Sequence, residues 1–72
     1  MYTVLNNKRY LYNSEDHTIG IMCLVNGEWK TQAYATRIEG RIIIEMEESV
    51  TDYDEINTNV RSIFNGSIAM IE

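Results

Sequence analysis

Up to Met46 short runs rich in apolar residues are separated by polar turn signals, and after Ser49 the apolar residues recur every three or four. The first pattern predicts short strands and the second a helix. Turn signals divide the strand-like part into Tyr2–Leu5, Arg9–Tyr12, Thr18–Val25, Glu28–Ala35 and Arg41–Met46. Asn6-Asn7-Lys8, Asn26-Gly27 and Glu39-Gly40 are the expected turns, since Asn and Gly tolerate left-handed backbone. Ser49 or Thr51 is the expected helix cap, with an acid three residues on. Tyr53, Ile56, Val60, Ile63 and Phe64 then fall within about 100° of arc, and Asn65-Gly66 is the stop. Ser67–Ile71 reads as a short last strand.

The predicted class is α+β, an antiparallel sheet of five to six strands in the order β-β-β-β-β-α-β with one amphipathic helix on one face. Register around Asn26-Gly27 decides what the sheet displays. A two-residue turn sets Leu24 opposite Trp29 and Ile21 opposite Gln32, which mixes the two faces. A three-residue loop aligns Ile19, Ile21 and Cys23 with Ala33, Thr31 and Trp29, and makes Trp29 a core anchor; a buried face favours this second register. One helix covers one face only. The other then carries Met22, Leu24, Tyr34, Ile38 and Ile43 among Lys30, Gln32, Glu45 and Glu47, so the N-terminal hairpin or another chain is expected over it.

At 72 residues the chain is one small domain. Such a chain buries about 60% of its unfolded surface, and its core supplies roughly 3–5 kcal/mol. One cysteine, Cys23, excludes an internal disulfide, and one histidine, His17, leaves no thiolate–imidazole metal set. Self-association is the remaining means of adding buried surface, with a dimer the first expectation. The glycines are isolated at turns and in a strand, not in a phosphate-binding loop. His17 lies beside Ser14, Glu15 and Asp16 on one loop, where neighbours cannot hold catalytic geometry. The acids between Asp52 and Glu55 lack the spacing of a calcium loop. No catalytic residue, metal or cofactor is therefore expected. No stretch approaches a membrane span and the N-terminal residues do not resemble a leader, so the expected location is cytoplasmic. Ten Ile, seven Asn, five Tyr and no Pro fit an AT-rich bacterial or phage genome.

Charge adds the one pointer to a partner. Formal net charge is −5, and Glu45, Glu47, Glu48, Asp52, Asp54 and Glu55 lie in a run without a base. Lys8, Arg9, Tyr10 and Tyr12 form a small basic and aromatic cluster, but the overall charge opposes direct nucleic-acid binding. Asp52 suits the positive end of the helix dipole. Glu45, Glu47, Glu48, Asp54 and Glu55 remain as an expected binding surface for a protein with a basic site. The first functional expectation is a small acidic inhibitor or regulator, its carboxylates standing where nucleic-acid phosphates would lie. The second is a homo-oligomer that joins across Met22, Leu24, Tyr34, Ile38 and Ile43 and encloses a nucleotide-like ligand, with Arg37 or Arg41 for an anionic group. A third is a structural subunit of a larger assembly.

Overall fold

The computed structural model describes residues 1–72. Five strands, β1 (Tyr2–Leu5), β2 (Lys8–Asn13), β3 (Thr18–Val25), β4 (Glu28–Ile38) and β5 (Arg41–Met46), precede one helix, α1 (Tyr53–Phe64). The strands form one antiparallel meander in the order β1-β2-β3-β4-β5. Three of its hairpins close through two residues of positive φ: Asn6 and Asn7, Asn26 and Gly27, Glu39 and Gly40. That backbone matches the right-handed twist of the flanking strands. The expected sixth strand over Ser67–Ile71 is reduced to a single bridge, Ile71 to Tyr2, with two backbone hydrogen bonds of 2.7 Å.

The turn at Asn26-Gly27 has two residues, not the expected three, and sets Val25 opposite Glu28 and Leu24 opposite Trp29. Farther along, Ile21 faces Ala33 and Ile19 faces Ala35, not the expected Thr31 and Ala33, yet these apolar residues share the helix side. Both preferences are met because Gln32 is left over as a β-bulge between Thr31 and Ala33. Trp29 consequently leaves the core and joins Leu24 and Met22 on the face away from the helix. Lys30 moves the other way, opposite Cys23 on the helix side.

Helix α1 lies along β2 and meets every second residue of it. Lys8 pairs with Asp52 and Glu55, Asn59 donates to the Tyr10 hydroxyl at 3.1 Å, and Tyr12 meets the Phe64 ring edge-on at 5.8 Å. Tyr10, Ile19, Ile21, Ala33 and Ala35 of the sheet and Ile56, Val60, Ile63 and Phe64 of the helix are buried together with Val50 of the connecting segment. Small Ala33 and Ala35 let the helix sit low, with Ile42, Ile44 and Met46 packed beside it. Tyr53, expected in the buried stripe, is 57% exposed at the first turn. The helix opens at Asp52, not at Ser49 or Thr51, and no side chain caps it. It closes as expected at Asn65-Gly66: Gly66, at φ +80°, donates to Ile63 and Ser67 to Ser62, the Schellman pattern.

Candidate functional site

The face of the sheet opposite α1 has no covering element. Antiparallel alternation places Tyr2, Val4, Arg9, Leu11, Met22, Leu24, Trp29, Tyr34, Ile38 and Ile43 on it. The N-terminal hairpin extends the sheet edge and does not fold across this face. Leu24, Tyr34, Ile38 and Ile43 are each about half exposed, at 48, 49, 53 and 51%. Gly20 lies between Leu11 and Tyr34 with open space above it, so the middle of the face has a notch. All five apolar residues expected here are therefore on one continuous surface, and the bulge adds Trp29 to them.

Charge on this face lies at its two sides, with Arg9 toward β2 and both Arg41 and Glu45 on β5. Toward β1 and β2, the Arg9 guanidinium lies 4.3 Å from the Trp29 ring centre and 5.9 Å from that of Tyr2. Stacked in this way Arg9 loses water, and its Nε is buried without a hydrogen-bond partner. Toward β5, Glu45 stands opposite Tyr34, Glu47 donates its backbone N–H to the Gln32 carbonyl, and Glu48 follows. These three acids line a shallow depression of about 300 Å³ beside the bulge, with Thr31, Gln32 and Tyr34. The Gln32 side-chain Oε1 is buried there without a partner.

The structure divides the acidic run. Asp52 and Glu55 turn toward Lys8, which is 8% exposed. Lys8 approaches Glu55 at 3.6 Å and forms a close pair with Asp52, while Asn6 donates to Glu55 at 2.6 Å. Burial acts to lower the Lys8 pKa, but the hydrogen bond to Asp52 and the two carboxylate charges outweigh it and the value is raised. The Lys8 hydrogen bond lowers that of Asp52 despite an opposing effect of burial. Desolvation raises the Tyr10 hydroxyl beside them, against the hydrogen bond from Asn59. Glu55 is thus part of the packing between helix and sheet and not the outward charge expected of it. Glu45, Glu47, Glu48 and Asp54 remain exposed.

Arg37 is also committed. It donates to the Phe64 carbonyl at 3.2 Å and lies 5.0 Å from the Phe64 ring centre, so it closes the end of the helix and is not available to a ligand on the open face. Arg41 is exposed. Cys23 is a half-buried free thiol, and the His17 ring nitrogen lies 3.5 Å from Arg37 on an exposed loop. No group of three or more His, Cys, Asp or Glu side chains is arranged to hold a metal, and no helix is long and apolar enough to cross a membrane. In comparisons with protein-family models, curated proteins and solved structures, nothing matches this chain.

Sequence reasoning grouped Lys8 and Arg9 in one cluster and missed that alternation sends these adjacent bases to opposite faces. The signal was present in the period of β2: Lys8, Tyr10 and Tyr12 share one face, and Arg9 and Leu11 the other.

Proposed function

We propose that this protein is a non-enzymatic inhibitor or regulator that seats its uncovered sheet face on another protein, with Glu45, Glu47 and Glu48 selecting a basic site. The observation that carries this reading is the joining of a broad apolar surface to an acidic margin whose carboxylates, on Glu45, Glu47 and Glu48, are in no ion pair. Apolar contact supplies the affinity. The acids supply orientation and rate, since complementary charge mainly steers encounter. Glu45 in β5 and Glu47 just past its end are two residues apart, about 7 Å in extended backbone, and form a short line of anions. Such a line fits a groove that otherwise holds a nucleic-acid backbone, and the mechanism is competition for that groove.

A second reading places another copy of the chain on the same face. Its support is the separation of Arg9 on one side from Glu45 and Glu47 on the other: a twofold axis along β3 sets the Arg9 of each copy toward the acids of its mate, with Gly20 near the axis. Sedimentation equilibrium separates the two readings. A monomer mass at micromolar concentration favours the heterologous partner, and a stable dimer favours the second copy. For the first reading, a protein captured by the immobilised chain is purified and titrated at low and high salt against wild type and the E45K/E47K/E48K variant. At least tenfold weaker binding by the variant, with a smaller salt dependence, is expected; equal binding overturns the reading.

A further inference from the structure

The two edges of the sheet are treated differently. At the β1 edge the chain's own C-terminal segment lies alongside: Ile71 pairs with Tyr2, while Ile68 and Met70 pack against the core. At the β5 edge nothing pairs. Ile38 and Arg41 flank the Glu39-Gly40 turn, and backbone pairing alternates from there, so Arg41, Ile43 and Glu45 bond to β4. The N–H and C=O groups of Ile42, Ile44 and Met46 consequently point outward from the sheet. Their side chains point to the helix side, where with Tyr53, Asp54 and Asn57 they line a groove of about 280 Å³ between β5 and α1. The groove thus has an apolar floor, a row of free backbone groups along one side and an exposed tyrosine at its lip. The edge has no proline, bulge or lysine, and its charged side chains, Arg41 and Glu45, stand on the open face and leave the helix-side row of Ile42, Ile44 and Met46 without charge.

We propose that the groove between β5 and α1 is a separate peptide-binding site, which takes an extended segment of another protein as a sixth, antiparallel strand. The backbone groups of Ile42, Ile44 and Met46 supply the hydrogen bonds, as in other cases of strand addition. Side chains of the incoming segment that point to the helix side enter the groove and must be apolar, as Ile68 and Met70 are at the opposite edge. Those between them emerge on the open face, next to Arg41 at the turn end of β5 and next to Ile43, Glu45 and Glu47 farther along. Cross-strand charge therefore selects lysine or arginine at the intervening positions beside Glu45 and Glu47. The C-terminal segment is the molecule's own precedent for the geometry. The site does not depend on the sheet-face reading above, because its apolar lining is on the other side of the sheet.

The probe is a blocked seven-residue peptide in which lysine alternates with valine, titrated into ¹⁵N-labelled protein. Expected are saturable shifts centred on Ile42, Ile44, Met46 and Tyr53, slowed hydrogen exchange of the three β5 amides, and unchanged resonances at Ile71. A peptide N-methylated at alternate residues on its β5-facing edge, and one with glutamate for lysine, are each expected to bind at least tenfold more weakly; so is the lysine peptide to the E45K variant, whose substitution is exposed on the face where the lysines emerge. Shifts centred on Leu24, Trp29 and Tyr34, displacement of Ile71, undiminished binding of the N-methylated peptide, or no saturable binding of the lysine peptide overturns the proposal.

Discussion

Replacing Lys8 by Met tests whether half of the acidic run is structural. Methionine keeps the apolar stem against the core and removes the ammonium, leaving Asp52 and Glu55 facing each other across the helix start. Losing one partner of a fully buried pair costs about 3–5 kcal/mol. The Lys8 side chain is 10% exposed, but those of Asp52 and Glu55 are 36 and 33% exposed, so water restores part of the loss. A cost of about 1–2 kcal/mol follows, at the scale of an unpaired polar group. For a domain this small it lowers Tm by about 4–16 °C. Calorimetry or circular dichroism at neutral pH reads the shift, with Glu47→Gln as control, expected within about 0.5 kcal/mol of wild type. Acid dependence gives a second readout. The Asp52 pKa is lowered in the folded state, so its contribution is present above the ordinary carboxylate range and lost as pH falls through the depressed value. In Lys8→Met that acid loss shrinks. A Tm change below about 2 °C, or one equal to that of Glu47→Gln, refutes the assignment of Asp52 and Glu55 to the fold.

Tyr10→Phe removes the acceptor for Asn59 and is expected to cost about 0.5–1.5 kcal/mol at pH 7. Raised folded-state values for Tyr10 and Lys8 mean that their stabilisation is complete below pH 10 and lost as pH rises through those values; Tyr10→Phe therefore flattens the alkaline limb of a Tm-against-pH curve. Gly66→Ala forces a Cβ into φ +80° and should destabilise by about 1–2 kcal/mol in urea titration, with no change in m-value. Trp29→Ala should change Tm by only a few degrees while weakening partner or self-association at least tenfold; a loss of more than about 3 kcal/mol in stability would mean that Trp29 is core after all.

The meander and the helix were legible because their signals are local. Two-residue turns of Asn and Gly announce the hairpins, and Ile56, Val60, Ile63 and Phe64 repeat at helical spacing. Tyr53 shares that spacing but sits in the first turn, beyond the margin of the sheet, where periodicity alone does not say what the helix overlies. Glu55 and Asn59 occupy one helix face at a spacing of four and look polar and solvated, yet their partners Lys8, Asn6 and Tyr10 come from the other end of the chain. The neutralising base for the acidic run was absent from the run itself for that reason. Trp29 was misplaced by a narrower failure: both registers considered were unbroken ones, and the chain adopts a third that satisfies the turn and the core at once.

The bulge at Gln32 separates two design problems that a regular strand would tie together. Core pairing is settled on one side of it and the hairpin tip bearing Trp29 on the other, so removing this one residue leaves every β3–β4 partner unchanged and costs only the Glu47 N–H its bond to the Gln32 carbonyl. Insertions and deletions there can alter the twist of the tip, and with it the aim of Leu24, Trp29 and the stacked Arg9, without any residue of the core being rewritten. A change of length at this single position thus re-aims the exposed side chains of the tip.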